Sequence, residues 1–157
     1  MEHCHISGVP YARNIVILTG AGISSESGVH NFRDPDGIWS QVKLEDVATP
    51  EAFEADPVRV HSFYNDRRRQ LLTLDIQPNA AHRALAQLEA AWPGNYLLVT
   101  QNIDDLHERG GSRQVVHMHG ELLKGRCSRC RGVFACRGEM GLETACEFCG
   151  AIGTVRP

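Results

Sequence analysis

Four cysteines in this 157-residue chain stand at a spacing that holds metal. Cys127-x2-Cys130, a gap of fifteen residues, and Cys146-x2-Cys149 match the two knuckles of a zinc ribbon, each supplying two sulfurs to a tetrahedral ion. Four thiolates leave no position for water, so a zinc ion held there would be structural. The segment from Cys127 to Cys149 is rich in glycine, cysteine and charge and too poor in apolar residues to build its own core. Metal binding would supply the missing stability. The competing reading is free thiols in a reducing compartment. Cys136, between the pairs, is expected to be a bystander, and Cys4, flanked by His3 and His5, to lie in a loose tail.

A second chemistry is suggested by Gly20-Ala21-Gly22-Ile23-Ser24, directly after the apolar run Asn14 to Thr19. Glycines at a strand end let backbone approach a ligand closely. A helix N-terminus behind them would offer unpaired N–H donors to a phosphate. The pattern reads as the start of a dinucleotide site, with a plain tight turn as the alternative. It is not the dehydrogenase fingerprint, because Ser25 stands where the third glycine belongs. The small polar run Ser24 to Asp34, ending in Phe32-Arg33-Asp34, suits a flap over a ribose or nicotinamide better than a core.

Two polar clusters follow. Gln101-Asn102-Ile103-Asp104 comes immediately after a second apolar run, Tyr96 to Thr100. Polar residues at the carboxyl end of a parallel strand face the ligand crevice. An amide there can orient a ribose hydroxyl or a water, and a carboxylate can hold a polarised amide. Helix capping by Asn102 or Asp104 is the bland alternative. In His117-Met118-His119-Gly120, an extended backbone would put both histidines on one side. A histidine before glycine at a strand end is placed to exchange a proton near neutral pH; a structural role stands equally open.

The elements that must position these groups are legible in outline. Strands are expected over 14–19 and 96–100, with a short extended piece at 115–118. Thr49-Pro50-Glu51 has an N-cap followed by proline at the first helical position. Val60, Phe63, Tyr64 and Leu71 give helical spacing between Pro57 and Leu74. Asn79 is placed to cap a helix ended by Trp92-Pro93-Gly94. Ile103 to Glu108 reads as a short helix. Tyr64 and Arg67 share a helix face, where a phenol and a guanidinium could bind a carboxylate; alternatively Arg67-Arg68-Arg69 is a solvated basic face.

The apolar fraction of 42% is that of a globular protein, and a net charge of -3 provides no electrostatic case for nucleic acid or a membrane surface. No apolar run is long enough to span a bilayer. The N-terminus lacks the pattern of a secretory signal, so a cytoplasmic location is expected.

Taken in order, Gly-Ala-Gly-Ile-Ser, Phe-Arg-Asp, Gln-Asn-Ile-Asp, His-Gly and the paired Cys-x2-Cys resemble the sirtuins, the NAD-dependent protein lysine deacylases. Ala48-Thr49-Pro50 with Phe63-Tyr64-Asn65-Asp66-Arg67 looks most like the class III branch, which removes acidic acyl groups. The resemblance implies an α/β fold: a Rossmann-like parallel sheet over 14–122 after a lead-in over 1–13. A helical insert at about 43–75, a zinc module over 123–153, and a return to the nucleotide-binding domain at 154–157 are also implied. It implies NAD and one structural zinc ion as cofactors, and acylated lysine in protein substrates as the partner. Gly20, Ala21, Gly22, Ile23 and Ser24 would cradle the pyrophosphate. Phe32 and Arg33 would belong to the cofactor loop, and Gln101, Asn102, Ile103 and Asp104 would hold ribose and nicotinamide. His119 would be the general base on a ribose hydroxyl, with Asn102 beside it in the catalytic set. Tyr64 and Arg67, with Ala48, would bind the acyl group of succinyl- or malonyl-lysine. Nicotinamide, free lysine and O-acyl-ADP-ribose would be the products.

Against the same pattern, the chain stops at Arg156-Pro157, where the return from the zinc module begins. The expectation is a C-terminally truncated form with an incomplete sheet and little or no activity by itself. A zinc-binding interaction module is the alternative, and a zinc-ribbon oxidoreductase the third reading.

Overall fold

A computed structural model describes residues 14–29, 43–73 and 75–157. The expected lead-in, the flap with Phe32 and Arg33, and Leu74 lie outside the described residues.

Three strands form a parallel sheet in the order β1 (Asn14–Thr19), β2 (Asn95–Thr100), β3 (Val115–His117). Their register is level at the carboxyl end, with Thr19 opposite Thr100 and Thr100 opposite His117. Three loops therefore leave the sheet side by side: 20–24, 101–104 and 118–120. This is the crevice in which open parallel sheets bind ligands.

The expected strand at 14–19 has the expected bounds but is not buried on both faces. Val16 and Leu18 are 66% and 62% exposed, while Tyr96 and Leu98 on the neighbouring strand are buried. Apolar residues on both faces are the pattern of a parallel strand covered on two sides. Here the covered side faces α3 (Ala80–Ala91), where the Tyr96 hydroxyl donates to the Leu85 carbonyl at 3.4 Å.

Between β1 and β2 the chain forms a 3-10 helix, Ala21–Ser27, then helices α1 (Pro50–Ala55), α2 (Pro57–Leu71) and α3. Thr49 caps α1 by accepting from the Ala52 N–H, with Pro50 at the first helical position. Asp56 caps α2, accepting from the Arg59 N–H at 2.9 Å. Asn79 caps α3 through a box, accepting from the His82 N–H while the His82 ring accepts from the Asn79 N–H. The short helix expected at 103–108 is α4 (Leu106–Arg109), closed after one turn by Gly110 and Gly111.

The core beneath the crevice is Leu71, Ile76, Leu106, Leu122 and Leu123, with Val29, Tyr64 and Ile103 packed against it. A second core, Cys127, Phe134, Met140, Cys146 and Val155, lies in the cysteine module. Its antiparallel sheet runs β5 (Val133–Ala135), β4 (Lys124–Cys127), β6 (Val155–Arg156). Residues 154–157 were expected to return to the nucleotide-binding domain. Val155 and Arg156 instead pair with Cys127 and Arg126, so the module's sheet extends to residue 156. The buried Val155 side chain explains this: it completes the small core around the cysteines.

Arg68 ties the two cores together. Its side chain is 1% exposed, and its guanidinium donates to the Leu122 carbonyl at 3.0 Å, the Asn65 amide oxygen at 2.5 Å and the Gly138 carbonyl at 3.4 Å. Asn65 in turn pairs with both backbone groups of Met140, at 2.8 and 2.9 Å.

Candidate cofactor crevice and metal centre

The three loops at the carboxyl end of the sheet and the face of α2 enclose one large cavity of about 1020 Å³. Ala21, Ser24, Gln101, Asn102, Ile103, Asp104 and His119 line it, as do Ala48, Tyr64 and Arg67. Residues drawn from positions 21 to 119 thus converge on one space.

Gly20 and Gly22 sit where the chain leaves β1. Among the described residues, a Cβ at either would meet no atom beyond its chain neighbours within 4 Å, which leaves their backbone room for a ligand at close range. Ile23 contributes its carbonyl, which accepts from the Asn79 side chain at 2.7 Å and fastens the loop to the start of α3.

Ser24 is fully buried at the centre of a polar knot. Its hydroxyl donates to Asp104 Oδ2 at 3.0 Å and accepts from Asn102 Nδ2 at 3.0 Å. His82 Nε2 lies 3.5 Å from the same oxygen. His82 Nδ1 accepts from the Asn79 N–H, which leaves the ring proton on Nε2, facing Ser24. Asp104 Oδ1 accepts from the Leu106 N–H at 3.2 Å, so Asp104 ties the start of α4 to Ser24, while the N-cap position itself is taken by Asp105 without a side-chain cap bond. Thr19 and His107 add a further bond at 2.9 Å below this knot. His82, His107 and Thr19 were not singled out from the sequence. The available signal was the Asn79-x-x-His82 capping box.

The two histidines after β3 have different surroundings. His117 is bonded at both nitrogens, Nδ1 to the Asn102 carbonyl and Nε2 to Glu108 Oε1, each at 2.8 Å. His119 is exposed, lines the cavity and makes no hydrogen bond among the described residues. The backbone does not stay extended past His117. It turns at 118–119 and passes through Gly120 at a φ of 84°, the left-handed region that favours glycine. That turn is what presents His119 to the cavity.

On the opposite wall, Tyr64 is half-buried and Arg67 is 8% exposed. The Arg67 guanidinium stacks on the Phe63 ring, 3.2 Å from its centroid, and donates to the Phe63 carbonyl at 2.9 Å. Burial lowers the Arg67 pKa to about 10, which leaves it charged at neutral pH. Burial raises the Tyr64 pKa, so its phenol stays protonated. The solvated-face alternative for Arg67-Arg68-Arg69 fails at two of three positions. Arg67 and Arg68 are buried, and Arg69 alone is exposed, paired with Asp66 and Glu139.

Away from the cavity, the sulfurs of Cys127, Cys130, Cys146 and Cys149 all lie within 4.8 Å of one another. Cys127 and Cys149 are 3.8 Å apart, Cys130 and Cys146 3.6 Å. A tetrahedral zinc with Zn–S of about 2.3 Å needs sulfurs about 3.8 Å apart, so the set fits zinc. Cys136 is outside this cluster, as expected. The Thr154 hydroxyl, 3.2 Å from Cys127 Sγ, helps push that thiol down to about 6, toward the thiolate that binds metal.

A parallel sheet with polar loops gathered at its carboxyl end, joined to a four-thiolate module, defines a Rossmann-like α/β protein carrying a structural metal site. The pattern of the Sir2 family matches residues 20–157, and the chain belongs to that family. It is 54% identical over 145 residues to an NAD-dependent protein deacylase of Shewanella oneidensis, covering 92% of this chain and 60% of the relative. It is also 54% identical over 143 residues to an NAD-dependent protein deacylase of Yersinia pseudotuberculosis, covering 91% of this chain and 51% of the relative. Among solved structures, a Sir2 homologue in complex with NAD superimposes with a TM-score of 0.78 at 41% identity, covering 92% of this chain and 56% of that one. The chain thus spans between half and three-fifths of the length of these two relatives.

Proposed function

We propose that the protein carrying this chain is an NAD-dependent protein lysine deacylase that prefers acidic acyl groups. The observation behind this reading is the single cavity in which Ser24, Asn102 and Asp104 meet His119, Tyr64 and Arg67. Bound NAD would supply the ribose carbon that receives the acyl group and the nicotinamide that leaves.

The chain's own residues divide the remaining work. The open backbone of Gly20, Ala21 and Gly22, fixed by Ile23, offers N–H donors to the pyrophosphate. Phe32 and Arg33 are assigned to the cofactor by the Phe-Arg-Asp motif alone. Ser24 uses its hydroxyl to hold Asp104 and Asn102 in place. Gln101, Asn102, Ile103 and Asp104 frame the ribose and nicotinamide end. His119, unencumbered and beside a left-handed turn, takes a proton from a ribose hydroxyl at a ring nitrogen. Arg67, held charged against Phe63, pairs with the distal carboxylate of succinyl- or malonyl-lysine while Tyr64 donates its hydroxyl; Ala48 lines the same wall. The substrates are acylated lysines on proteins, and the setting is the cytoplasm. No helix among the described residues is long and apolar enough to cross a membrane.

Nicotinamide release from NAD by the full-length protein that carries this chain, measured with succinyl-lysine and acetyl-lysine versions of one peptide, tests this. Release with both, faster with succinyl, is expected. Release with neither overturns the deacylase reading, and faster turnover of the acetyl peptide overturns the acyl preference.

A further inference from the structure

His117 is the better-bonded histidine of its pair, and its two partners decide its charge. Nδ1 lies 2.8 Å from the Asn102 carbonyl, which can only accept, so Nδ1 carries a proton. Nε2 lies 2.8 Å from a carboxylate oxygen of Glu108. Burial raises the Glu108 pKa, but the hydrogen bond from His117 and other contacts outweigh it and lower the pKa overall. An ionised Glu108 also only accepts, so Nε2 carries a proton too. The ring is then an imidazolium, with its side chain 6% exposed.

The carbonyl it holds belongs to Asn102, which is fixed at two further points. The Asn102 N–H donates to Thr100 Oγ1 at 3.1 Å, and its side-chain amide donates to Ser24 Oγ at 3.0 Å. Among these three tethers, only the one from His117 joins the 101–104 loop to both β3 and α4.

We propose that His117 is a positioning residue, a doubly donating imidazolium that clamps the Asn102 backbone to Glu108 and so keeps the Asn102 amide aimed at Ser24. The proposal deepens the deacylase reading and rests on it for the identity of the ligand. It makes the geometry of the crevice depend on pH. Burial pulls the His117 pKa down, and the bonds to Glu108 and Asn102 with the charges of Glu108 and Glu121 more than restore it, so the net shift is upward. The charged or titratable groups facing the ring are Glu108 and His107 of α4 and Glu121 just past β3. Loss of the proton as pH rises through the ring's midpoint removes one donor and releases one end of the clamp.

Nuclear magnetic resonance on the chain itself tests the clamp without any ligand. Both His117 ring nitrogens should be protonated at pH 7, and the Asn102 carbonyl and side-chain amide resonances should move with the same midpoint as the ring. Glu108→Gln keeps an acceptor but removes the charge, and should lower both midpoints together by about one pH unit or more. A neutral His117 ring at pH 7, or a midpoint unmoved in Glu108→Gln, overturns the proposal. So do Asn102 resonances that ignore the ring. Calorimetric titration of the full-length protein with ADP-ribose then reads the consequence: affinity should fall about tenfold as pH rises through the His117 midpoint, at lower pH in Glu108→Gln. Affinity that is flat across the midpoint overturns the positioning role. Absence of ADP-ribose binding at every pH counts against the deacylase reading, while the resonance midpoints still decide the clamp.

Discussion

His82 and His107 meet edge to face beneath the crevice, with ring centroids 4.9 Å apart and planes at 63°, and neither is exposed to solvent. His82 comes from α3 and His107 from α4, so the contact joins two helices that reach the crevice from different parts of the chain.

The pair should make the fold acid-sensitive. Burial lowers both pKa values, with the His82 ring lowering His107 further, to about 4. The folded state then binds fewer protons than the unfolded state, whose histidines titrate near 6.5. The contribution is fully present above about pH 6.5 and is lost as pH falls toward 4. His117 acts in the opposite sense, its raised pKa giving stability that is full below about pH 6.5 and is lost as pH rises through the folded-state pKa. Urea midpoints measured from pH 7 down to 4.5 should decline, and less steeply in His107→Asn. An equal decline in the variant would assign the acid sensitivity to other groups.

One zinc ion per chain should be bound by Cys127, Cys130, Cys146 and Cys149. Metal analysis of protein purified without chelator checks the stoichiometry. Cys146→Ser with Cys149→Ser should abolish binding and melt the small sheet, because that module has only a five-residue buried core. Zinc retained in the double variant would count against the assignment.

In the full-length protein, Arg67→Met should slow succinyl-lysine turnover far more than acetyl-lysine turnover, since only the succinyl group carries a charge to pair. A loss of about 2 kcal/mol in transition-state binding, roughly thirtyfold in kcat/KM, is in the range of a charged hydrogen bond. Equal losses on both substrates would make Arg67 a structural residue held by Phe63.

In the full-length protein His119→Tyr should abolish turnover and leave zinc content and thermal midpoint unchanged, because His119 is exposed and supports no other described residue through a hydrogen bond. His117→Ala should instead lower the thermal midpoint, since it leaves Glu108 and the Asn102 carbonyl without their partner. A stable, fully inactive His117→Ala beside an active His119→Ala would exchange the two roles.

Arg68→Met should destabilise the whole fold by about 2–4 kcal/mol, because it strands the buried carbonyl of Leu122 and frees the α2 contact with Gly138. Chemical denaturation measures this, and a change under about 0.5 kcal/mol, typical of surface sites, would contradict it.

Local spacing in the sequence determined the metal site, the strand at 14–19, the caps at Thr49 and Asn79, and the run of motifs that marks the Sir2 family. These rest on neighbours within a few residues, where covalent geometry leaves little choice: a Cys-x2-Cys knuckle turns its sulfurs together, and a proline after threonine starts a helix. What the tertiary structure decided depends on the level register of three parallel strands. Ser24 meets Asn102 and Asp104 across 78 and 80 residues of sequence, and Thr19 meets His107 across 88. No periodicity encodes such pairs. The same holds for the two histidines, which share a motif but part at the Gly120 turn, one bonded to Glu108 and the Asn102 carbonyl and the other facing the cavity. The sequence leaves a solvated basic face open for Arg67 and Arg68, and the packing of Phe63, Leu122 and the cysteine module around them closes that alternative. Burial there is set by the packing of separate layers, and a helix carries no local mark of which layer will cover it.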